Sequence, residues 1–226
     1  MGDYTEVDGT FIATPEKGQV SCVTIRPAGA EMMLVIGHGA STNYKHRTLR
    51  RIAEHCADVG VATLRYNFPY MEKGGGGTES KPVAYETVRS AAAAALAVAP
   101  DLPLFVGGHS FGGRMASHAA AQGAIPQVRG LVFFAFPLHP SGKPSTERAA
   151  HLPQVTVPML FLSGTRDALA ELALLEATVK PLKQATLHLL DTADHGFKVL
   201  KRSRSTHEDV FAEMARVLKA WGLSVP

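Results

Sequence analysis

From about residue 31 onward, short runs of consecutive apolar residues alternate with longer stretches in which apolar residues recur every three or four positions. The short runs, at 33–36, 61–64, 104–106, 130–135, 159–162 and 186–190, have the length of strands. A strand that is apolar at nearly every position is buried on both faces, whereas one exposed on a single face alternates. The longer stretches, at 44–59 and 83–98, a small-residue segment opening at Gly112 and Gly113, and 169–179, read as helices. A final helix has Val210, Phe211, Met214, Val217, Leu218 and Trp221 on its apolar side, and Ser205 and Glu208 ahead of it have the spacing of a capping box. The segment 19–25 alternates more and has no helix before it, which predicts an antiparallel edge strand.

Buried strands alternating with helices predict an α/β fold, a mostly parallel twisted sheet with helices on both faces. At 226 residues the chain fits a single domain spanning 1–226, and folding at this size buries roughly 70% of the surface of the unfolded chain. There are no repeats, Gly74 to Gly77 is the only low-complexity run, and the segment 135–158 is short and rich in proline and polar residues, so little cap is expected over the sheet. A net charge of +3 gives no reason to expect nucleic acid or an anionic membrane as a partner. The basic group Lys198, Lys201, Arg202 and Arg204 reads as a solvated approach to the last helix. Two cysteines cannot make a disulfide framework, and Cys56 shares a helical face with Leu49, Ile52 and Ala53, which makes it a core residue. No apolar signal segment opens the chain and no apolar run reaches the ~18 residues that span a bilayer, so a cytoplasmic protein is expected.

The chemistry is carried by the residues that follow the strands. Gly108, His109, Ser110, Phe111 and Gly112 form a G-x-S-x-G pattern between the apolar run 104–106 and the small-residue helix. Strand, sharp turn and helix in that order are the context in which this pattern presents a serine hydroxyl at the carboxyl end of a strand, with glycines where side chains would collide. The same glycines do not make a P-loop, since Arg114 and Met115 stand where lysine and a hydroxyl residue are needed. After the run 33–36 come Gly37, His38, Gly39 and Ala40; after 159–162 come Ser163, Gly164, Thr165, Arg166 and Asp167; after 186–190 come Asp191, Thr192, Ala193, Asp194 and His195. Ligands bind beyond the carboxyl ends of parallel strands, so all four loops face one edge of the sheet.

A serine hydroxyl is a weak nucleophile near neutrality unless a base takes its proton, and the base needs a carboxylate to fix its tautomer. Ser110, His195 and Asp167 fit these three roles. The amides of Phe111 and Ala40 are the candidate donors to an oxyanion. Asp191 and Asp194 crowd His195 locally and read as turn formers, and Asp167 has a competing reading as a plain helix cap. His109 is expected to project away from Ser110 and to be structural, His207 to lie in the capping box, and Arg114 to pack or form a salt bridge. His38 is expected to brace its loop. Phe68, Tyr70, Met71 and Phe136 are candidates to line an apolar substrate pocket. No H-E-x-x-H or related pairing is present, and no metal or cofactor is expected.

Taken together, Gly37 to Ala40, Gly107 to Arg114, Gly164 with Asp167, and Asp194 to Phe197 resemble the α/β-hydrolase superfamily, in particular its small lidless, dienelactone-hydrolase-like branch. That branch includes relatives of a testis-expressed protein and of a subunit of a histone acetyltransferase complex. The resemblance runs from about residue 20 to 221. It implies an eight-stranded sheet, an oxyanion loop at His38 to Ala40, and Ser110, Asp167 and His195 as a triad acting on small, accessible carboxylic esters. True dienelactone hydrolases use a cysteine nucleophile where this chain has Ser110, so their substrate is not carried over. Two other readings of the same motifs are a non-catalytic interaction module on this fold and an acyltransferase.

Overall fold

The computed structural model describes residues 4–123 and 125–226. Eight strands form one sheet in the order β1-β2-β4-β3-β5-β6-β7-β8. They are β1 (Glu6–Thr14), β2 (Gly18–Ile25), β3 (Met32–Gly37), β4 (Val61–Tyr66), β5 (Leu104–His109), β6 (Val128–Phe134), β7 (Met159–Gly164) and β8 (Ala185–Leu190). From β4 through β8 every neighbouring pair is parallel, and β2 alone runs against the rest, antiparallel to both β1 and β4.

The segment 19–25 is therefore a strand of the expected sense but is not at the edge. That place belongs to β1, which the apolar pattern did not announce because most of its residues are exposed. It is held by the ladder from Glu6↔Ile25 to Thr14↔Gly18, and by an ion pair from Glu6 to Arg65. Arg65 lies in fully buried β4, and Glu6 supplies the counter-charge without which a buried guanidinium is strongly destabilising.

The central strands are buried at every position, as two-sided coverage requires. Alternate residues go to opposite layers. Met33, Val35, Leu104, Val106 and Phe133 pack with α3 (Lys81–Val98), α4 (Phe111–Ala121) and α5 (Leu172–Val179). Met32, Leu34, Ile36, Phe105 and Val132 pack with α1 (Arg47–Asp58) and α6 (Val210–Ser224). One short helix, α2 (Pro69–Glu72), follows β4. Between β6 and β7 the chain makes only two single turns of 3-10 helix, Glu147–Ala149 and Leu152–Gln154, so the sheet edge above the strands carries no helical cap there. Among the described residues no helix is long and apolar enough to cross a membrane.

The predicted capping box does not form. Helix α6 starts at Val210 and is capped by Asp209, whose Oδ1 accepts from the Phe211 amide at 2.9 Å. Glu208 instead takes two hydrogen bonds from Arg216, and the Ser205 amide donates to Asp191. Arg204 is not solvated either: it is buried against Glu213 and donates to the Asp191 carbonyl at 2.7 Å.

Candidate active site

The turn from β5 into α4 brings Ser110 to the site. Its backbone has φ 51° and ψ −110°, a left-handed, strained setting for a residue with a Cβ. The glycines around it are fixed by contact. A Cβ on Gly108 would lie 2.3 Å from the Gly37 carbonyl oxygen, and one on Gly112 would lie 2.3 Å from both the carbonyl carbon and oxygen of Gly37. The collision avoided is mostly with the end of neighbouring β3 rather than with β5 itself. The β5–α4 turn and the β3 terminus thus pack backbone against backbone, which keeps the serine and the loop at 38–40 together.

Ser110 is half-buried and Asp167 is buried, its side chain fully out of solvent. His195 lies between them. Its Nε2 is 2.9 Å from Ser110 Oγ, and its Nδ1 is 2.9 and 2.8 Å from the two carboxylate oxygens of Asp167. A carboxylate only accepts, so the proton of the neutral ring sits on Nδ1 and the Nε2 lone pair faces the serine hydroxyl. Asp167 Oδ1 also accepts from the Leu169 amide at 2.8 Å, which fixes the plane of the carboxylate. Asp167 does not cap α5, whose N-cap is Glu171. Asp194 is occupied as a turn former by the Gly196 and Lys198 amides, and Asp191 by Ser205. Three residues far apart in sequence are therefore joined in one hydrogen-bonded path.

Two further histidines support this path, both held neutral down to about pH 4, chiefly by burial. His38 accepts from the Phe68 amide at Nε2, 3.0 Å, and its Nδ1 proton goes to the Gly39 carbonyl at 2.8 Å. It braces the loop at 38–40, as expected. His109 makes no hydrogen bond to Ser110; its Nε2 donates to the His195 carbonyl at 2.9 Å and its ring lies 5.2 Å from the His195 ring. A Cβ on Gly39 would come within 3.2 Å of His109 Nδ1, so the same ring also supports the 38–40 loop. No local pattern signals this role, because the bond runs to a main-chain carbonyl 86 residues away.

The four residues expected to line a pocket divide. Phe68 and Phe136 have no exposed surface and are corrected to core residues. Phe68 packs edge-on against Tyr66 and Phe111, and Phe136 against Phe133 and Phe161. Tyr70 is nearly buried, and its hydroxyl donates to the Ala40 carbonyl at 2.9 Å, tying α2 to the 38–40 loop. Met71 remains half-buried at the surface. Phe111 is buried, and its amide is the first of α4, where no intrahelical acceptor exists. Among the described residues no group of three or more His, Cys, Asp and Glu is placed to hold a metal ion.

Comparison with known proteins agrees with this architecture. Residues 30–222 match the alpha/beta hydrolase domain family. Among solved structures, the chain is similar to a dienelactone hydrolase from Anabaena variabilis, with 19% identity, 98% of each chain covered and a TM-score of 0.75. It is similar to an α/β serine hydrolase without lid from Xanthomonas campestris, with 17% identity, 98% of this chain and 95% of that one covered, and a TM-score of 0.72. It is also similar to a cold-adapted esterase from an Arctic intertidal metagenomic library, with 20% identity, 97% of each chain covered and a TM-score of 0.65. At such identities the likeness is one of fold. The match along most of the sequence, and the uncapped eight-stranded sheet, make this chain a member of the alpha/beta hydrolase domain family, built on the lidless, dienelactone-hydrolase-like form of the fold.

Proposed function

We propose that the protein is a serine hydrolase that cleaves small, accessible carboxylic esters through an acyl-enzyme. The observation that carries this reading is the unbroken path from Ser110 Oγ through His195 to Asp167. In the first step Ser110 Oγ attacks the ester carbonyl carbon while its proton passes to His195 Nε2. Asp167 holds the ring and stabilises the imidazolium so formed. The carbonyl oxygen, now an anion, is met by the amides of Phe111 and Ala40. Collapse expels the alcohol, which takes the proton from Nε2. Water then repeats the sequence on the acyl-serine, releasing the acid and restoring the hydroxyl. The open edge above β6 and β7 admits water freely, which favours hydrolysis over transfer of the acyl group to another acceptor. A non-catalytic module would have no use for a strained serine hydrogen-bonded to an oriented imidazole. Esterase and dienelactone hydrolase activity among structures of the same fold supports the reaction class. Two buried, unpaired thiols, Cys22 and Cys56, suit a reducing cytoplasm.

Incubation with a fluorophosphonate probe tests the reading, since attack by an activated serine displaces fluoride from phosphorus. The wild-type protein is expected to label at Ser110 and the Ser110→Ala variant not to label. Folded wild-type protein that stays unlabelled would favour the interaction module.

A further inference from the structure

The loop after β6 supplies no group to the chemistry above, yet it is bonded to the loop that carries the acid. It leaves the strand through Ala135, whose φ of 56° is a left-handed setting that a residue with a Cβ keeps only where contacts impose it. One such contact is the Ala135 amide, which donates to the Leu162 carbonyl on β7 at 2.9 Å. Further along this loop is His139, a buried histidine. Its main-chain N–H donates to the Leu169 carbonyl at 3.0 Å. Its Nε2 accepts from the Glu171 amide at 3.1 Å, so the ring proton is on Nδ1, which donates to the Pro140 carbonyl at 2.9 Å. Both ring nitrogens are thus in use, one to hold the ring and one to hold a neighbouring loop.

That neighbour is the turn between β7 and α5, which Asp167 opens. The Asp167 amide donates to the Gly164 carbonyl at 3.3 Å, its carbonyl accepts from the Ala170 amide at 3.2 Å, and its Oδ1 accepts from the Leu169 amide at 2.8 Å. Leu169 is therefore held from two sides, by the Asp167 carboxylate at its N–H and by His139 at its C=O. With Oδ1 fixed in this way, Oδ2 stands 2.8 Å from His195 Nδ1. A swing of Leu169 would draw Oδ1 with it and turn the carboxylate out of that contact. At the end of the turn the N-cap of α5, Glu171, makes no side-chain capping bond, and its amide finds its acceptor in the His139 ring. The chemistry of the acceptor matters. An aspartate or glutamate could take the same bond, but it would bring a second negative charge to the turn of Asp167 and oppose ionisation there. Imidazole accepts without a negative charge.

We propose that His139 is a positioning residue of the triad: through Leu169 and Glu171 it fixes the turn on which the Asp167 carboxylate meets His195. Its effect on turnover rests on the hydrolase reading, whereas its effect on the Asp167–His195 hydrogen bond does not.

Two variants separate this role from the filling of space, each checked for folding by thermal unfolding. His139→Leu keeps much of the bulk and removes the acceptor, and His139→Gln restores an acceptor at about the reach of Nε2. The first readout is the proton NMR signal of His195 Nδ1–H, which lies far downfield when the proton is shared with a carboxylate and is assigned by its absence in His195→Gln. It is expected in the wild type and in His139→Gln, and to move upfield or be lost to exchange in His139→Leu. The second readout is turnover of 4-nitrophenyl acetate. His139→Leu is expected to lose about tenfold in kcat with KM little changed, the result of a small displacement of the acid, and His139→Gln to recover most of the loss. His139→Asn, polar but too short to reach the Nε2 position, is expected to behave like His139→Leu and serves if that variant does not fold. Wild-type kcat or an unmoved signal in a folded His139→Leu or His139→Asn variant overturns the proposal. So does a loss confined to KM, or an equal loss in His139→Gln, which would make the bulk of the ring and not its acceptor the cause. A signal that moves as expected in a protein that turns over no ester refutes the hydrolase reading and leaves the positioning of Asp167 standing.

Discussion

Replacing Asp167 by asparagine exchanges an oxygen for an amide nitrogen with almost no change in shape, and the hydrogen bonds decide which oxygen is lost. Oδ1 accepts from the Leu169 amide at 2.8 Å, so the asparagine carbonyl must take that position. Its NH2 then falls where Oδ2 stood, 2.8 Å from His195 Nδ1. Two donors cannot share that contact, so His195 moves its proton to Nε2 and presents Nδ1 as an acceptor. The nitrogen facing Ser110 Oγ, 2.9 Å away, becomes a donor and no longer takes the serine proton. Loss of the correct tautomer in a triad of this type costs on the order of 10⁴ in kcat, equivalent to about 5 kcal/mol of barrier. Stability should change far less, because the Leu169 bond survives and no cavity forms. The assay is kcat for 4-nitrophenyl acetate near neutral pH, with thermal unfolding as the control on folding. A loss of less than tenfold in a folded variant would refute the assignment of Asp167 as the group that fixes the imidazole.

Three other outcomes follow from the same contacts. Gly112→Ala places a Cβ 2.3 Å from the Gly37 main chain, which has no flexible end to yield; we expect about 2–3 kcal/mol of destabilisation and a Tm lower by roughly 5–10 °C, and an unchanged Tm would refute the close packing. His109→Phe keeps a ring against Phe197 but removes the donor to the His195 carbonyl; kcat should fall about tenfold with KM little changed, and unaltered kcat would show that His195 needs no such support. His38 and His109 titrate at about 4 in the fold against 6.5 for the free side chain. Above pH 6.5 both states hold neutral rings, and as the pH falls toward 4 the unfolded chain takes up protons that the native state refuses. Stability is therefore lost across that window, by about 3 kcal/mol for each ring, and then levels off. Equal urea midpoints at neutral pH and near the lower end of the window would contradict this.

Most of the scaffold and the core of the site were legible in the chain. The central strands announce themselves because burial on both faces leaves no polar position, and the loops that follow them hold Ser110, Asp167 and His195 in that order, the three residues joined in one hydrogen-bonded path. What was not legible has specific causes. Strand β1 is an edge held by its ladder and by Glu6 on Arg65, so it lacks the buried run that marks the others. The start of α6 was misread because Ser205 and Glu208 match a local spacing rule, while Asp209, directly before Val210, does the capping. Phe68 and Phe136 carry the same side chain as a pocket-lining aromatic, and only packing from distant strands shows them to be core. Ser117 and His118 on helix α4 meet His151 from the turns before β7, a contact that no local pattern encodes.

The central claim is that Ser110 Oγ attacks an ester carbon and carries the acyl group. Rapid mixing of the protein with excess 4-nitrophenyl butyrate, quenched in acid and mapped by peptide mass spectrometry, reads this directly. The account predicts a burst of 4-nitrophenolate close to one equivalent per chain, with the butyryl group on Ser110 and neither burst nor adduct in Ser110→Ala. A butyryl group on any other side chain, or steady turnover by Ser110→Ala at the wild-type rate, would contradict it.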